Sequence, residues 1–300
     1  MKKALLIGIN YINDNDSSLQ GCIEDVINMR NMLIDAYDYE LSNIITLRDD
    51  DIDASHQPTR DNIINHFKKL ASESDTIEEL WVHYSGHGSL LFGNKPININ
   101  INMNSNNTNI LVPVDYTSKG FILDIELLAI VKTIKCKTIL LFDSCHSGTM
   151  CDLPWAIEYK NPLNYTVTHI NNIVISNPNI FMFSGSKDTQ TSVDSYNREN
   201  QQYVGAFTNA FIHSLRKNRH NVSYKVLYQD ICEYLTQHGF TQIPIFSSSS
   251  KEPNLIFTRA NGICVPVIMT KAVPVTNASN AAIKKNMSFM LKSRQNKLQS

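Results

Sequence analysis

Short apolar runs separated by helix-patterned stretches constrain this chain more than any other feature. Ala4–Ile9, Ile44–Leu47, Leu80–Tyr84, Lys137–Phe142 and Asn179–Phe183 are such runs, and Leu255–Phe257 closes the pattern. Runs this short and this apolar read as strands buried on both faces. Between the first two, Gly21–Tyr37 carries Ile23, Val26, Ile27, Leu33, Ile34 and Tyr37 at helical spacing. Thr59 stands where it can cap a helix with Ile63, Ile64, Phe67 and Leu70 on its apolar face, and Asp124 can cap Ile125–Ile134. Gly205–Lys217 and Ser223–His238 read as further helices. Strands alternating with helices fold as a mostly parallel β-sheet covered by helices on both faces, so the expected class is α/β.

Two of the runs end in clusters of small and polar residues. Leu80–Val82 leads into His83-Tyr-Ser-Gly-His-Gly88, and Lys137–Phe142 into Asp143-Ser-Cys-His-Ser-Gly148. The carboxyl edge of such a sheet is where ligands and reacting groups gather. A thiol at one strand end and an imidazole at another are the minimum for a nucleophile activated by a base. A lone cysteine at the end of a core strand is more often an inert buried thiol. The glycines around His87 and after Cys145 shift that balance, because they let backbone N–H groups approach a reacting carbonyl.

These two clusters resemble those of the metacaspases, caspase-related cysteine peptidases. Ordered matches extend through Ala4-Leu-Leu-Ile-Gly-Ile-Asn10, Leu19-Gln-Gly-Cys-Ile-Glu-Asp25, Pro113-Val-Asp115, Asp152-Leu-Pro154, Gly185-Ser-Lys-Asp-Thr-Gln-Thr-Ser192 and Ser247–Ser250, over residues 3–258. The 58 residues between His87 and Cys145 are close to the ~50 of caspases. The resemblance implies a caspase-like fold, in a short form without an N-terminal prodomain. By it, residues 1–154 are the large region holding both catalytic residues, and 179–260 a smaller region of the same sheet. Between them, 155–178 is rich in Asn, contains Pro162 and Pro178, and reads as an irregular linker. Residues 261–300 turn basic and polar, with Lys284, Lys285, Lys292, Arg294 and Lys297, and read as a flexible tail. Pro96–Asn104 alternates apolar residues with Asn and fits either a hairpin strand or a mobile loop.

Composition bounds the partners. A net charge of −1 over 300 residues gives no electrostatic case for nucleic acid or membrane. Six cysteines without a Cys-x-x-Cys spacing do not make a disulfide or zinc framework, which favours a reduced, cytoplasmic protein. The apolar stretch after Met1-Lys-Lys3 is too short for a signal peptide. A monomer acting on proteins or peptides is expected.

Cys145 is the candidate nucleophile and His87 the candidate base. Cys136, Cys151, Cys232, Cys22 and Cys264 lack a partnered glycine-rich loop, His83 suits a packed structural role, and His146 adjoins the cysteine along the chain. The resemblance assigns the oxyanion donors to the backbone N–H groups of Gly88 and Cys145. It assigns the S1 pocket to Cys22, Asp25, Ser85 and Asp143, and acidic groups there favour an Arg or Lys P1 side chain over Asp. Asp143 also fits a turn cap, and Asp25 a first-turn helix carboxylate. Replacing Asp143 by Ala is expected to affect Arg substrates more than thermal stability. The family's calcium site is incomplete: Asp124 and Asp152 match ligand positions, Ile125 replaces a second Asp, and the upstream loop Asn98–Asn109 is nearly uncharged. A weak calcium site there is the most the sequence allows, and no cofactor is expected to be required. Lys160, the basic residue of the 155–178 stretch, is the candidate self-processing site, with Lys187 behind it. The alternative to an Arg/Lys-directed endopeptidase is a non-proteolytic binding or scaffold protein of the same fold.

Overall fold

The computed structural model describes residues 1–14, 16–92, 107–145, 150–161, 164–185, 194–197, 202–260 and 272–274. The chain opens with β1 (Lys2–Gly8), α1 (Cys22–Tyr37), β2 (Ile44–Arg48), α2 (Arg60–Ser72) and β3 (Glu79–Ser85). A side excursion follows, made of β4 (Gly88–Phe92), β5 (Asn107–Leu111), α3 (Tyr116–Lys119) and β6 (Ile122–Leu123). Then come α4 (Asp124–Val131), β7 (Lys137–Asp143), β8 (Trp155–Asn161), β9 (Asn164–His169) and β10 (Ile180–Ser184). The last part contains β11 (Asp194–Asn197), β12 (Gln202–Gly205), α5 (Ala206–Lys217), β13 (Val222–Ser223), α6 (Tyr224–Gln237), β14 (Ile245–Ser248), β15 (Ile256–Phe257) and β16 (Ala272–Pro274).

Eight strands form one sheet in the order β2-β1-β3-β7-β10-β14-β8-β9. The first five are parallel, and β14, β8 and β9 are added antiparallel. Because strand side chains alternate between faces, the apolar runs feed two cores. Leu6, Trp81, Ile139, Leu141 and Phe183 lie under Val26 and Met29 of α1, Phe207 and Phe211 of α5, and Leu227 of α6. Leu5, Ile7, Val82, Leu140, Phe142 and Met182 lie under Ile63 and Phe67 of α2 and Leu127 and Val131 of α4. Each fully buried side chain of this size contributes about 1.5–3 kcal/mol. Two cores on either side of one sheet therefore fix the strand ends, which carry the chemistry.

Three expectations meet the structure differently. The 155–178 stretch is not irregular throughout: β8 and β9 form a hairpin on the edge of the main sheet. Its buried Ala156 and Ile157 lie opposite Ser247 and Phe246 of β14, and the Trp155 and His169 rings lie 4.5 Å apart, tilted at 42°. Asn164-Tyr-Thr-Val-Thr-His169 is rich in β-branched and aromatic residues, which outweigh the turn signals at Pro162. Lys160 consequently sits in a strand, at a bulge, where the β8–β9 register passes from Tyr159↔Tyr165 to Asn161↔Asn164. The basic tail contains β16, which pairs with β11 through Val273↔Tyr196, around the apolar island Ala272-Val-Pro-Val275. Pro96–Asn104 and Lys187 lie outside the described residues, although β4 and β5 on either side of the former pair as a hairpin. Among the described residues no helix is long and apolar enough to cross a membrane.

Candidate active site

The parallel pairing of β3 with β7 sets the geometry of the carboxyl edge. Tyr84 is in register with Phe142 and Ser85 with Asp143, and the Gly86 N–H donates to the Asp143 carbonyl at 3.3 Å. The two chains therefore leave the sheet side by side. A Cβ on Gly88 would come within 2.3 Å of the Cys145 carbonyl oxygen and 3.0 Å of Ser144 Oγ, so glycine alone fits against the nucleophile segment. Cys145 is half-buried, whereas Cys22, Cys136, Cys151 and Cys232 are buried. Burial pushes the Cys136 thiol up, the Cys232 thiol up to about 12, and the Cys151 thiol well above its ordinary value. Among the described cysteines, Cys145 is the one open to a substrate. His146 and Cys264 lie outside the described residues.

His87 is 6% exposed and held on several sides. Its Nε2 lies 2.7 Å from the Ser17 carbonyl oxygen. A carbonyl can only accept, so Nε2 carries the proton and Nδ1 is left as the ring's acceptor. Burial lowers the imidazole pKa, while the Ser17 carbonyl and the Asp14 carboxylate oppose that shift. The ring is accordingly neutral near pH 7. Among the described residues no side chain orients it from Nε2. The backbone of the β1–α1 loop does so, and Asn10 anchors that loop by accepting the Cys22 and Ile23 N–H groups at 2.9 and 3.3 Å.

The Gly88 N–H faces away from the neighbouring strand for a reason that can be read from the ladder. His87 and Val112 lie opposite one another in the β4–β5 hairpin, and the Val112 N–H donates to the His87 carbonyl at 3.2 Å. Antiparallel pairs alternate between bonded and non-bonded, so the next pair, Gly88↔Leu111, is of the non-bonded kind.

Beside this pair of loops lies a buried carboxylate cluster. Asp25 in α1 and Asp143 at the end of β7 are 1% and 5% exposed. Asp25 Oδ2 accepts the Ser85 hydroxyl at 2.7 Å and its Oδ1 accepts the Gly205 N–H at 2.9 Å. Asp143 Oδ2 accepts both the backbone N–H and the hydroxyl of Thr208 at 2.9 Å. A Cβ on Gly205 would stand 2.3 Å from Asp143 Oδ2 and 2.4 Å from Asp25 Oδ2. The two carboxylates thus face each other across a glycine. Cys22, also buried, is one turn from Asp25 on α1. Beneath them His83 is fully buried, its Nε2 3.3 Å from the Thr208 hydroxyl, and burial pushes it down to about 3. That is a packed structural histidine supporting the cluster.

Sequence reasoning missed Ser17, Gly205 and Thr208. Ser17 and Gly205 act through a backbone carbonyl or N–H, and Gly205 also through having no side chain. Thr208 reads in the sequence as one more residue of a helix.

The remaining candidates lie elsewhere. Asp124 starts α4, where its Oδ2 accepts the Asn109 N–H at 3.0 Å and its Oδ1 accepts the Ile125 N–H at 2.6 Å. Asp152 lies with it near the Cys151 thiol, which both carboxylates help push up. Among the described residues no three His, Cys, Asp or Glu side chains gather to hold a metal. Among the described residues, two carboxylates, one of them accepting backbone N–H groups, supply fewer than the six to eight oxygens that calcium takes.

The sheet order and the helices on both faces, with a cysteine and a histidine on adjoining segments at the carboxyl edge, define the class as a caspase-type α/β protein. Caspase-1 from Spodoptera frugiperda superimposes with a TM-score of 0.54 at 12% identity, over 88% of this chain and 92% of that one. A protein from Geobacter sulfurreducens does so with 0.56 at 20%, over 84% and 94%. The family described as Metacaspase, peptidase C14 domain matches residues 2–154. Metacaspase-1 of Kluyveromyces lactis is 32% identical, over 85% of this chain and 68% of the relative. Metacaspase-1B of Aspergillus oryzae is likewise 32% identical, over 85% and 70%. The chain belongs to the metacaspases and is a cysteine peptidase.

Proposed function

We propose that the protein is an endopeptidase that cleaves after Arg or Lys, with Cys145 as nucleophile and His87 as base. The observation that carries the specificity is the buried pair Asp25 and Asp143 facing across Gly205, on the same sheet edge as the thiol and the imidazole. A guanidinium or ammonium entering this space meets two carboxylates already fixed by protein donors, and charge-assisted hydrogen bonds of this kind are the strong ones. An Asp side chain would meet like charge.

In the chemical step His87 Nδ1 takes the Cys145 thiol proton and the thiolate attacks the scissile carbonyl carbon. The oxyanion accepts the N–H groups of Gly88 and Cys145. The C–N bond then breaks, the imidazolium gives its proton to the leaving amine, and a thioester remains. Water, deprotonated by the same imidazole, attacks the thioester and releases the acid and the thiol. Throughout, the Ser17 carbonyl holds the Nε2 proton and stabilises the imidazolium.

Peptidyl electrophiles ending in Arg and in Asp provide the test, applied to the protein and to Cys145→Ala and His87→Ala. Labelling by the Arg probe should be abolished in Cys145→Ala and reduced by about 10²–10⁴-fold in His87→Ala. Turnover retained in Cys145→Ala, or faster labelling by the Asp probe, would overturn the assignment.

A further inference from the structure

Beneath His87 two buried tyrosine hydroxyls meet, and one of these tyrosines stands in a backbone conformation that non-glycine residues rarely adopt. Tyr11 is 2% exposed and has φ of 54°. Asp49, just past β2 and itself buried, holds that conformation from both sides. Its Oδ1 accepts the Asn10 N–H at 2.9 Å and its Oδ2 the Ile12 N–H at 3.0 Å. One carboxylate therefore straddles the Tyr11 peptide units.

The turn aims Tyr11 at His87. The two rings lie 4.6 Å apart at 32°. The Tyr11 hydroxyl accepts the His87 N–H at 2.9 Å and donates to the Val112 carbonyl at 2.7 Å. A regular antiparallel pair would join that N–H and that carbonyl directly. The hydroxyl is inserted between them on that side of the pair, while the Val112 N–H still donates to the His87 carbonyl at 3.2 Å. Tyr84 closes the other side: its hydroxyl donates to the His87 carbonyl at 2.8 Å and accepts the Val112 N–H at 3.3 Å. Gly86 leaves room for both, since a Cβ there would come within 2.8 Å of the Tyr84 hydroxyl and 3.2 Å of the Tyr11 hydroxyl. The same turn leads to Ser17, through Asp14 N–H to the Tyr11 carbonyl at 2.9 Å and Ser17 N–H to the Asp14 carbonyl at 3.1 Å.

We propose that Asp49 and Tyr11 are positioning residues for the reaction: the Asp49 carboxylate fixes the left-handed turn, and the inserted Tyr11 hydroxyl sets where the His87 imidazole stands relative to Cys145. This rests on His87 being the base. Asp49 governs both contacts that fix the imidazole, the hydroxyl under its backbone and the Ser17 carbonyl at Nε2. Without the hydroxyl, the His87 N–H and the Val112 carbonyl close on each other and carry the ring with them.

The test compares Tyr11→Phe, Asp49→Asn, Asp49→Ala and His87→Ala with the unaltered protein. For each, kcat and KM on an Arg peptide are measured per titrated active site, alongside thermal unfolding. The pH dependence of Cys145 alkylation by iodoacetamide is followed by mass spectrometry. Tyr11→Phe should lower kcat by about 10–100-fold with KM within about twofold, the effect of a misplacement near 1 Å. The alkylation profile should differ from that of the unaltered protein, because the base then stands elsewhere relative to the thiol. Asp49→Asn, which keeps one acceptor, should fall between the unaltered protein and Asp49→Ala. A merely structural role would lower the unfolding temperature while leaving kcat per active site and the alkylation profile unchanged, and that result overturns the proposal. If His87→Ala abolishes turnover while Tyr11→Phe and Asp49→Asn behave as the unaltered protein, positioning alone is refuted. Full turnover in His87→Ala overturns the base assignment and the proposal with it.

Discussion

Asp143 holds the start of α5 and is proposed to line the P1 pocket, and a pair of substitutions separates the two roles. Its Oδ2 accepts the N–H and hydroxyl of Thr208 in the first turn of α5, a helix whose own N-cap residue, Gly205, offers no side chain. Asp143→Ala would leave the buried Thr208 N–H without its acceptor and the hydroxyl with His83 Nε2 at 3.3 Å in its place, at about 1–3 kcal/mol for each bond lost. It would also remove a carboxylate from a helix N-terminus. A loss of about 2–5 kcal/mol is expected, enough to lower a urea midpoint by roughly 1–2 M. The contacts to Thr208 thus add a cost in stability to the effect expected on Arg substrates. Asp143→Asn keeps a carbonyl for Thr208, so its midpoint should hold. Its uncharged amide then offers a guanidinium no carboxylate. Losing a charge-assisted bond of roughly 2–3 kcal/mol lowers kcat/KM for Arg peptides by about 30–150-fold. Urea unfolding and kcat/KM on matched peptides with Arg or Gln at P1 measure the two effects. An unchanged midpoint in Asp143→Ala would refute the capping role. Undiminished Arg preference in Asp143→Asn would refute the pocket.

Burial holds His83 neutral down to about pH 3, whereas an unfolded chain protonates it near 6.5. The unfolded state therefore binds more protons between those values. Stability is full above about 6.5 and falls as pH drops towards 3, by roughly 3–5 kcal/mol. His83→Phe should flatten this limb in urea midpoints measured against pH, and an unaltered limb would refute the linkage. Activity should persist in chelator, with stimulation by calcium confined to about millimolar concentrations; a micromolar midpoint would mean a complete site exists. Incubated protein should be cut after Lys160, where the hairpin ladder is interrupted, and Cys145→Ala should not. Mass spectrometry of active protein that remains intact would remove the processing role.

The central strands were legible because buried parallel strands are continuous apolar runs, as in Lys137–Phe142. The β8–β9 hairpin was not, because an edge strand needs only one covered face and its polar residues resemble a linker. Cys145 and His87 were marked by the glycines that crowd them, while Asp25 and Asp143 stood out as carboxylates within the family's motifs. What stayed hidden acts mainly through the backbone. The Ser17 carbonyl and the Gly205 N–H have no signature in side-chain chemistry. The left-handed turn at Tyr11 carries no glycine and is fixed by Asp49, far along the chain.

The contact between Asp25 and Gly205 joins residues 180 positions apart. During synthesis the thiol and imidazole segments, both before residue 150, emerge well ahead of the start of α5. Domains fold as their chain becomes available, N-terminal parts first. A nascent chain can therefore bring Cys145 and His87 together while one wall of the carboxylate pocket is still inside the ribosome. Selectivity is in this sense the last property the protein acquires.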